Sequence, residues 1–295
     1  MGVDQDFAKA VDLAQGEYCW LFSDDDLMKP GAIQAVLDAI NGQYGLIIAN
    51  AEVRNNDLSK ELQLQRLPLS ADRVYRSDES HQLLADVGDY LTFIGGVIIK
   101  RQLWNAREKQ KYFGSFFVHA GVIFQSPLPE NTLVIAKPLI AIRYGNAMWL
   151  DKYFEIWMFK WPDLIWSFAH CPDAVKSRVC RREPWRRFRT LLLQRAKGTY
   201  TINIYRKWLE SRLDSSWSRF KSSAIAYLPG RIANILAVLY FFFLSHLSQR
   251  SGPPLELVDL RNSPFFYRRL RQEPARKSQQ AAVMDLSREF RPNDL

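Results

Sequence analysis

Three consecutive carboxylates, Asp24-Asp25-Asp26, are the residues whose types and spacing most directly offer chemistry in this chain. Adjacent anions repel one another, so folding alone does not favour the run. A short apolar stretch, Tyr18 to Phe22, leads into it and is long enough for one buried strand. Pro30 and Gly31 then break the chain before Ala32 to Ile40, where Ile33, Val36, Leu37 and Ile40 share one helical face. Carboxylates at the exposed end of a parallel strand suit a hard divalent cation, which takes oxygen ligands and keeps places open for phosphate. The competing reading is a solvated loop in which one aspartate caps the following helix.

Gly16-Glu17-Tyr18, the apolar strand, the acidic triplet and Pro30-Gly31 ahead of a helix resemble the metal-binding heart of family 2 glycosyltransferases with the GT-A fold. The finer pattern, Trp20-Leu21-Phe22-Ser23-Asp24-Asp25-Asp26, resembles their abequosyltransferase-like branch, which builds bacterial surface polysaccharide of the O-antigen type. The resemblance runs over roughly residues 6–215. It implies an α/β fold with a Rossmann-like mixed sheet, and an inverting transferase that uses a nucleotide sugar with manganese or magnesium. Asp26 and Asp25 would hold the cation, and Asp24 and Asp25 would reach the ribose, the donor sugar or the metal's waters. A cation bridging the diphosphate would neutralise the charge that develops on the leaving group.

Many members of that family open a helix with a catalytic acid after an aromatic-rich turn. Here Tyr112-Phe113-Gly114-Ser115-Phe116-Phe117-Val118 leads to His119, and no carboxylate lies between Lys111 and Pro129. His119 is therefore the candidate general base or third metal ligand, with a structural histidine as the alternative. The resemblance also implies at least two strand–helix units ahead of the first predicted helix, which only five residues precede. The sequence thus reads as lacking the nucleotide-binding half, through truncation, a mis-started frame or degeneration.

Hydrophobic residues at 47% and aromatics at 13% of 295 residues exclude a disordered chain and supply ample core. Cys19, Cys171 and Cys180 are odd in number and lack paired zinc-site spacing, so they read as reduced and structural. His81, His170 and His246 carry no context that assigns them a role. Met1 to Leu13 contains Asp4, Asp6 and Asp12 and no apolar core, which predicts cytoplasmic placement. The net charge of +9 is concentrated: residues 176–221 hold 14 Lys or Arg against 3 acidic residues.

The pattern divides the chain into four parts. A partial GT-A catalytic domain over 1–147 has further strands predicted at Tyr44–Ala51, Leu133–Ala136 and Leu139–Tyr144. It also has a helix at Ser80–Val87, a strand Tyr90–Ile99 containing Gly95-Gly96, and a helix opening at Lys100. The glycine pair would either admit a ligand close to the backbone or serve packing. Arg143-Tyr144-Gly145-Asn146 would rim the site. An aromatic and basic helical region, 148–222, starts with Trp149, Trp157, Trp161 and Trp166, a stripe more often core than ligand platform. Residues 223–250 contain an uncharged segment, Ile232 to Gln249, whose 18 residues make a helix of about 27 Å against about 30 Å of hydrocarbon. Such a helix would lie in or dip into a leaflet. Residues 251–295 read as a polar, flexible tail.

The favoured function is a transferase moving a sugar, a dideoxyhexose by the branch resemblance, to a polyprenyl-pyrophosphate-linked saccharide. It would work as a peripheral or monotopic protein on the cytoplasmic face of the bacterial inner membrane. A catalytically incomplete scaffold of a polysaccharide assembly complex is the alternative. Nucleic acid is not an expected partner, since that reading rests on charge alone.

Overall fold

The apolar run after Gly45 forms one long strand, Leu46–Arg54, buried at every position but the last. A strand covered on both faces reads as continuous hydrophobic sequence, and this one is the centre of the sheet. A computed structural model describes residues 2–145, 152–247 and 255–266. Asn146, Trp149, the last two residues of the Ile232–Gln249 segment and, of the predicted tail 251–295, residues 251–254 and 267–295 lie outside them. The described part of that tail is a helix, Leu255–Asn262, with Leu257 and Leu260 buried, and not a flexible stretch.

Seven strands make one mixed sheet: β1 Tyr18–Leu21, β2 Leu27–Met28, β3 Leu46–Arg54, β4 Glu61–Gln63, β5 Arg73–Tyr75, β6 Val97–Lys100 and β7 Thr132–Arg143. Their order is β1-β6-β3-β7-β2, with β4 on β3 and β5 on β7. Among the described strands only β3 and β7 pair in parallel; β6 lies antiparallel between β1 and β3, so β1, β3 and β7 all run the same way. This is a mixed α/β fold compatible with a Rossmann-like glycosyltransferase.

One strand replaces the two predicted around Pro138. β7 runs through the proline, and its pairing with β3 slips between Ala49 and Ala51. Asn50, fully buried at that slip, holds the irregular backbone. Its Nδ2 donates to the Leu67 and Ala136 carbonyls at 2.8 Å, and its Oδ1 accepts from the Leu67 and Ala51 amides at 2.9 Å. Every polar atom of that side chain is satisfied, as a buried amide requires.

The glycine pair serves packing. Gly95 and Gly96 form a 3₁₀ turn ahead of β6 instead of lying within a strand. A Cβ on Gly96 would meet Tyr90 Oη at 2.7 Å and the Ala49 carbonyl at 2.8 Å. Tyr90 Oη donates to that same carbonyl, so the approach that Gly96 permits is made by the protein itself.

Helices α1 Val3–Leu13, α2 Ala32–Ile40, α3 Ser80–Val87, α4 Arg101–Asn105 and α5 Val118–Phe124 contribute to the sheet's apolar core. In α2 Ala32 and Val36 are buried and Ile40 packs against the core, whereas Ile33 and Leu37 are exposed, so only half of the apolar face expected from spacing meets the core. Asp4, buried in the first turn of α1, accepts from the amides of Gly114, Phe116 and Val118 at 2.8–3.0 Å. It thereby fixes the turn that starts α5, where Gly114 and Phe116 both have positive φ.

The rest is helical: α6 Tyr153–Glu155, a π-helical turn Ile156–Lys160, α7 Trp161–Trp166, α8 Asp173–Val179, α9 Phe188–Lys197, α10 Ile202–Trp208, α11 Ser216–Tyr227, α12 Gly230–Leu247 and α13 Leu255–Asn262. The aromatic stripe is core, with Phe154, Phe159, Trp161 and Phe168 buried. Asp259 of α13 joins the two regions, accepting from Tyr144 Oη at 2.7 Å and from Lys197 Nζ at 2.6 Å.

Candidate functional site

The acidic triplet forms the turn between β1 and β2, strands at opposite ends of the sheet order. Strands stand about 4.8 Å apart, so a flat sheet would separate β1 from β2 by about 19 Å, near the limit of about 20–22 Å for six Cα steps. Because Asp24 to Asp26 turn and do not extend, the sheet must curl, and the turn then crosses the carboxyl ends of the co-directional strands. Ligands of open α/β sheets bind beyond those strand ends.

Asp26 anchors the turn. Its Oδ1 accepts from the Arg143 amide at the end of β7 at 2.9 Å, and Ser23 Oγ donates to its Oδ2. Arg143 brackets the loop as well, its Nε donating to the Asp25 carbonyl at 2.8 Å and its Nη1 to the Asn56 carbonyl at 2.7 Å. Burial raises the Asp26 carboxyl above the ordinary aspartate range, the Ser23 and Arg143 hydrogen bonds oppose that, and the Asp25 charge adds to it. Asp24 and Asp25 are exposed.

The three side chains do not close into a three-carboxylate cage. Asp24 and Asp25, exposed on the turn, are the two that could hold a cation of the magnesium or manganese kind, which takes one or two carboxylates and completes its shell with water and substrate phosphate. A half-buried carboxylate with a second anion beside it is the charge arrangement such a cation relieves.

Beyond Arg143, the support of this turn comes from residues outside any motif. Glu52, almost fully buried in β3, pairs with Lys29 just after β2 and with Arg54 at 2.5 Å. Lys29 also donates its amide to the Leu139 carbonyl at 2.9 Å. The turn is thus pinned at one end through β2, Lys29 and Glu52. At the other end, Trp20 Nε1 donates to the Gly95 carbonyl at 2.8 Å. The available signal was Glu52 itself, a lone carboxylate inside an apolar strand, which must be paired to be buried.

His119 is placed elsewhere than a base or third ligand requires. It is 2% exposed, within α5, with its Nε2 2.8 Å from the Leu91 carbonyl and its ring edge-on to Phe117. Its Nδ1 is buried without a hydrogen-bond partner. Burial lowers its pKa to about 4, only partly opposed by the Leu91 carbonyl. Neutral and sealed, it has no nitrogen to offer a substrate in this conformation. The catalytic and metal-ligand expectation gives way to the structural one, because α5 turns His119 into the core.

Two surfaces of the helical region bear on partners. A cavity of about 620 Å³ has aromatic walls, Phe159, Trp185 and Trp208, and opposed charges including Arg182, Arg186, Asp163 and Glu183. The second surface is on α12. Asn234, which breaks the apolar run in sequence, is the inward clamp of the helix, its Nδ2 donating to the Ala196 and Leu260 carbonyls at 3.0 and 2.9 Å. The outward face is the apolar one: Leu236 is 60% and Phe243 69% exposed, with Trp217 and Phe220 of α11 also exposed. Among the described residues no single helix is long and apolar enough to cross a membrane. The pair α11 and Gly230–Leu244 has the length and composition but bends by 92°.

No family model matches the chain. It is similar to the abequosyltransferase RfbV of Salmonella typhimurium (strain LT2), at 22% identity over 162 residues covering 52% of this chain and 49% of that protein. The chain spans about half the length of this curated relative. That similarity and the mixed sheet together relate the chain, distantly, to the glycosyltransferases.

Proposed function

We propose that the chain carries the metal-binding part of an inverting glycosyltransferase acting in O-antigen-type polysaccharide synthesis. Its donor is a nucleoside diphosphate sugar, with a dideoxyhexose favoured by the name of the relative. Its acceptor is a polyprenyl-pyrophosphate-linked saccharide. The observation that carries this reading is the acidic turn laid across the strand ends and bolted to β7 through Asp26 and Arg143.

In this reading Asp24 and Asp25 present carboxylate oxygens to manganese or magnesium, whereas Asp26, the first ligand expected from the sequence, keeps the turn in place with Ser23 and Arg143, because both of its oxygens already accept hydrogen bonds. The bound cation supplies charge neutralisation at the departing diphosphate. Arg143 keeps its guanidinium on the Asp25 carbonyl of the turn and the Asn56 carbonyl after β3, so its part is positioning.

The same reading places the protein on the cytoplasmic face of the inner membrane. The large apolar side chains of α12 point outward, and a basic stretch of 14 cations against 3 anions precedes it. Apolar side chains and cations together are what an anionic lipid surface recruits. The test is transfer of labelled sugar from a panel of nucleoside diphosphate sugars to lipid-linked saccharide. Transfer should require manganese or magnesium and stop with Asp24→Ala/Asp25→Ala. Transfer that survives both chelation and that double substitution would overturn the assignment.

A further inference from the structure

Three ligand-bearing side chains that the acidic turn does not use meet where α3 faces the connection between α7 and α8. His81 is the second residue of α3, and His170 and Cys171 follow α7. One ring nitrogen of each histidine and the Cys171 Sγ all lie within 4.8 Å of one another. His170 Nε2 is 3.3 Å from Cys171 Sγ. His81 Nε2 is 3.1 Å from the His170 carbonyl, which holds its ring against the turn. With zinc bonds of about 2.05 Å to nitrogen and 2.3 Å to sulfur, a tetrahedral N···S edge is about 3.6 Å. The observed pair is close to that edge before any metal draws it into place.

We propose that His81, His170 and Cys171 form a binding site for a borderline divalent cation, zinc in the first instance, that ties α3 to the α7–α8 connection. Two imidazoles and a thiolate select such a metal over magnesium, which prefers oxygen. Three protein ligands leave a fourth position for water. Binding replaces the S–H bond of Cys171 by an S–metal bond and releases the proton to solvent; no electron is transferred.

The surroundings favour the neutral imidazole and oppose the thiolate. Burial first, and then the nearby charges of His81, Arg107 and Lys176, hold the His170 imidazole below its ordinary pKa and so neutral, the form that ligates. Burial, the larger influence, raises the Cys171 thiol and Lys176 opposes it only in part, so the thiol's proton is displaced by the metal itself. Both cations already have partners. Arg107 donates to four backbone carbonyls, and Lys176 stands 2.8 Å from Asp173.

Cobalt(II) titration of the full chain provides the test, since thiolate–cobalt bonds give a near-ultraviolet charge-transfer band. We expect one equivalent of cobalt to develop that band, zinc to remove it, and excess magnesium to leave it unchanged. Cys171→Ser should eliminate the band, and His81→Gln should weaken binding at least about 100-fold. Circular dichroism should show both variants folded. Asp24→Ala/Asp25→Ala should keep the band, which separates this site from the acidic turn. The proposal is overturned if cobalt gives no thiolate band with the wild-type chain. It is overturned equally if the band persists in Cys171→Ser, or if folded His81→Gln binds as tightly as wild type.

Discussion

The buried imidazole of His119 makes acid stability measurable at one residue. Its pKa falls from 6.5 in the unfolded chain to about 4 in the fold. The unfolded state therefore binds the extra proton first as pH drops. The His119 contribution is complete above pH 6.5 and is lost progressively toward pH 4. Linkage with those two values gives a loss of about 2.5 kcal/mol between pH 7.5 and 4.5. His119→Gln keeps a donor for the Leu91 carbonyl and removes the titration.

Urea unfolding of both proteins at pH 7.5 and 4.5 cancels the carboxylate titrations they share. The wild type should lose about 2.5 kcal/mol more than the variant across that interval. Equal losses in the two proteins would refute the reasoning, and would return His119 to an accessible, solvated place. A general base would show itself differently, as an acid limb in the rate profile that disappears with the imidazole.

Other expectations follow from named contacts. Asp4→Ala strands three amides that now share one buried carboxylate, so urea unfolding should show a loss of about 3–5 kcal/mol. Asn50→Ala leaves two carbonyls and two amides unsatisfied at the β3–β7 slip and should cost at least about 3 kcal/mol by the same measurement. Leu236→Glu/Leu239→Glu alters exposed positions, so thermal unfolding should be unchanged while sedimentation with anionic liposomes is lost. In the wild type, high salt should release only the electrostatic share of binding, about 1 kcal/mol per basic side chain near the surface.

Where local pattern and burial coincide, the sequence was readable. β1 ends two residues before the acidic triplet, α2 starts right after Pro30-Gly31, and α3 occupies Ser80–Val87, close to what spacing predicts. Tertiary context decided the rest. Pro138 reads as a strand break because proline removes a ladder donor, yet β7 runs through it, with Asn50 of the neighbouring strand donating to the Ala136 carbonyl at the slip. Ile33 and Leu37 have helical periodicity, but Ala32 and Val36 are the side chains that face the core.

The candidate site was legible in its acids and not in its frame. Asp24, Asp25 and Asp26 announce themselves by mutual repulsion. Their anchors, Glu52 and the Arg143 amide, lie 26 or more residues away in sequence. His119 follows an aromatic-rich turn whether it points outward or inward, and only the packing of α5 separates those cases. His81 and His170 stand 89 residues apart, beyond any motif spacing.

Manganese binding followed by electron paramagnetic resonance tests the acidic turn most directly. Titrating free manganese into the full chain, with and without a nucleoside diphosphate, reads the site without requiring turnover. Binding should tighten when the diphosphate is present, and Asp24→Ala/Asp25→Ala should weaken it at least about tenfold while unfolding at the wild-type temperature. Undiminished manganese affinity in that folded double variant would contradict a metal site at the strand ends.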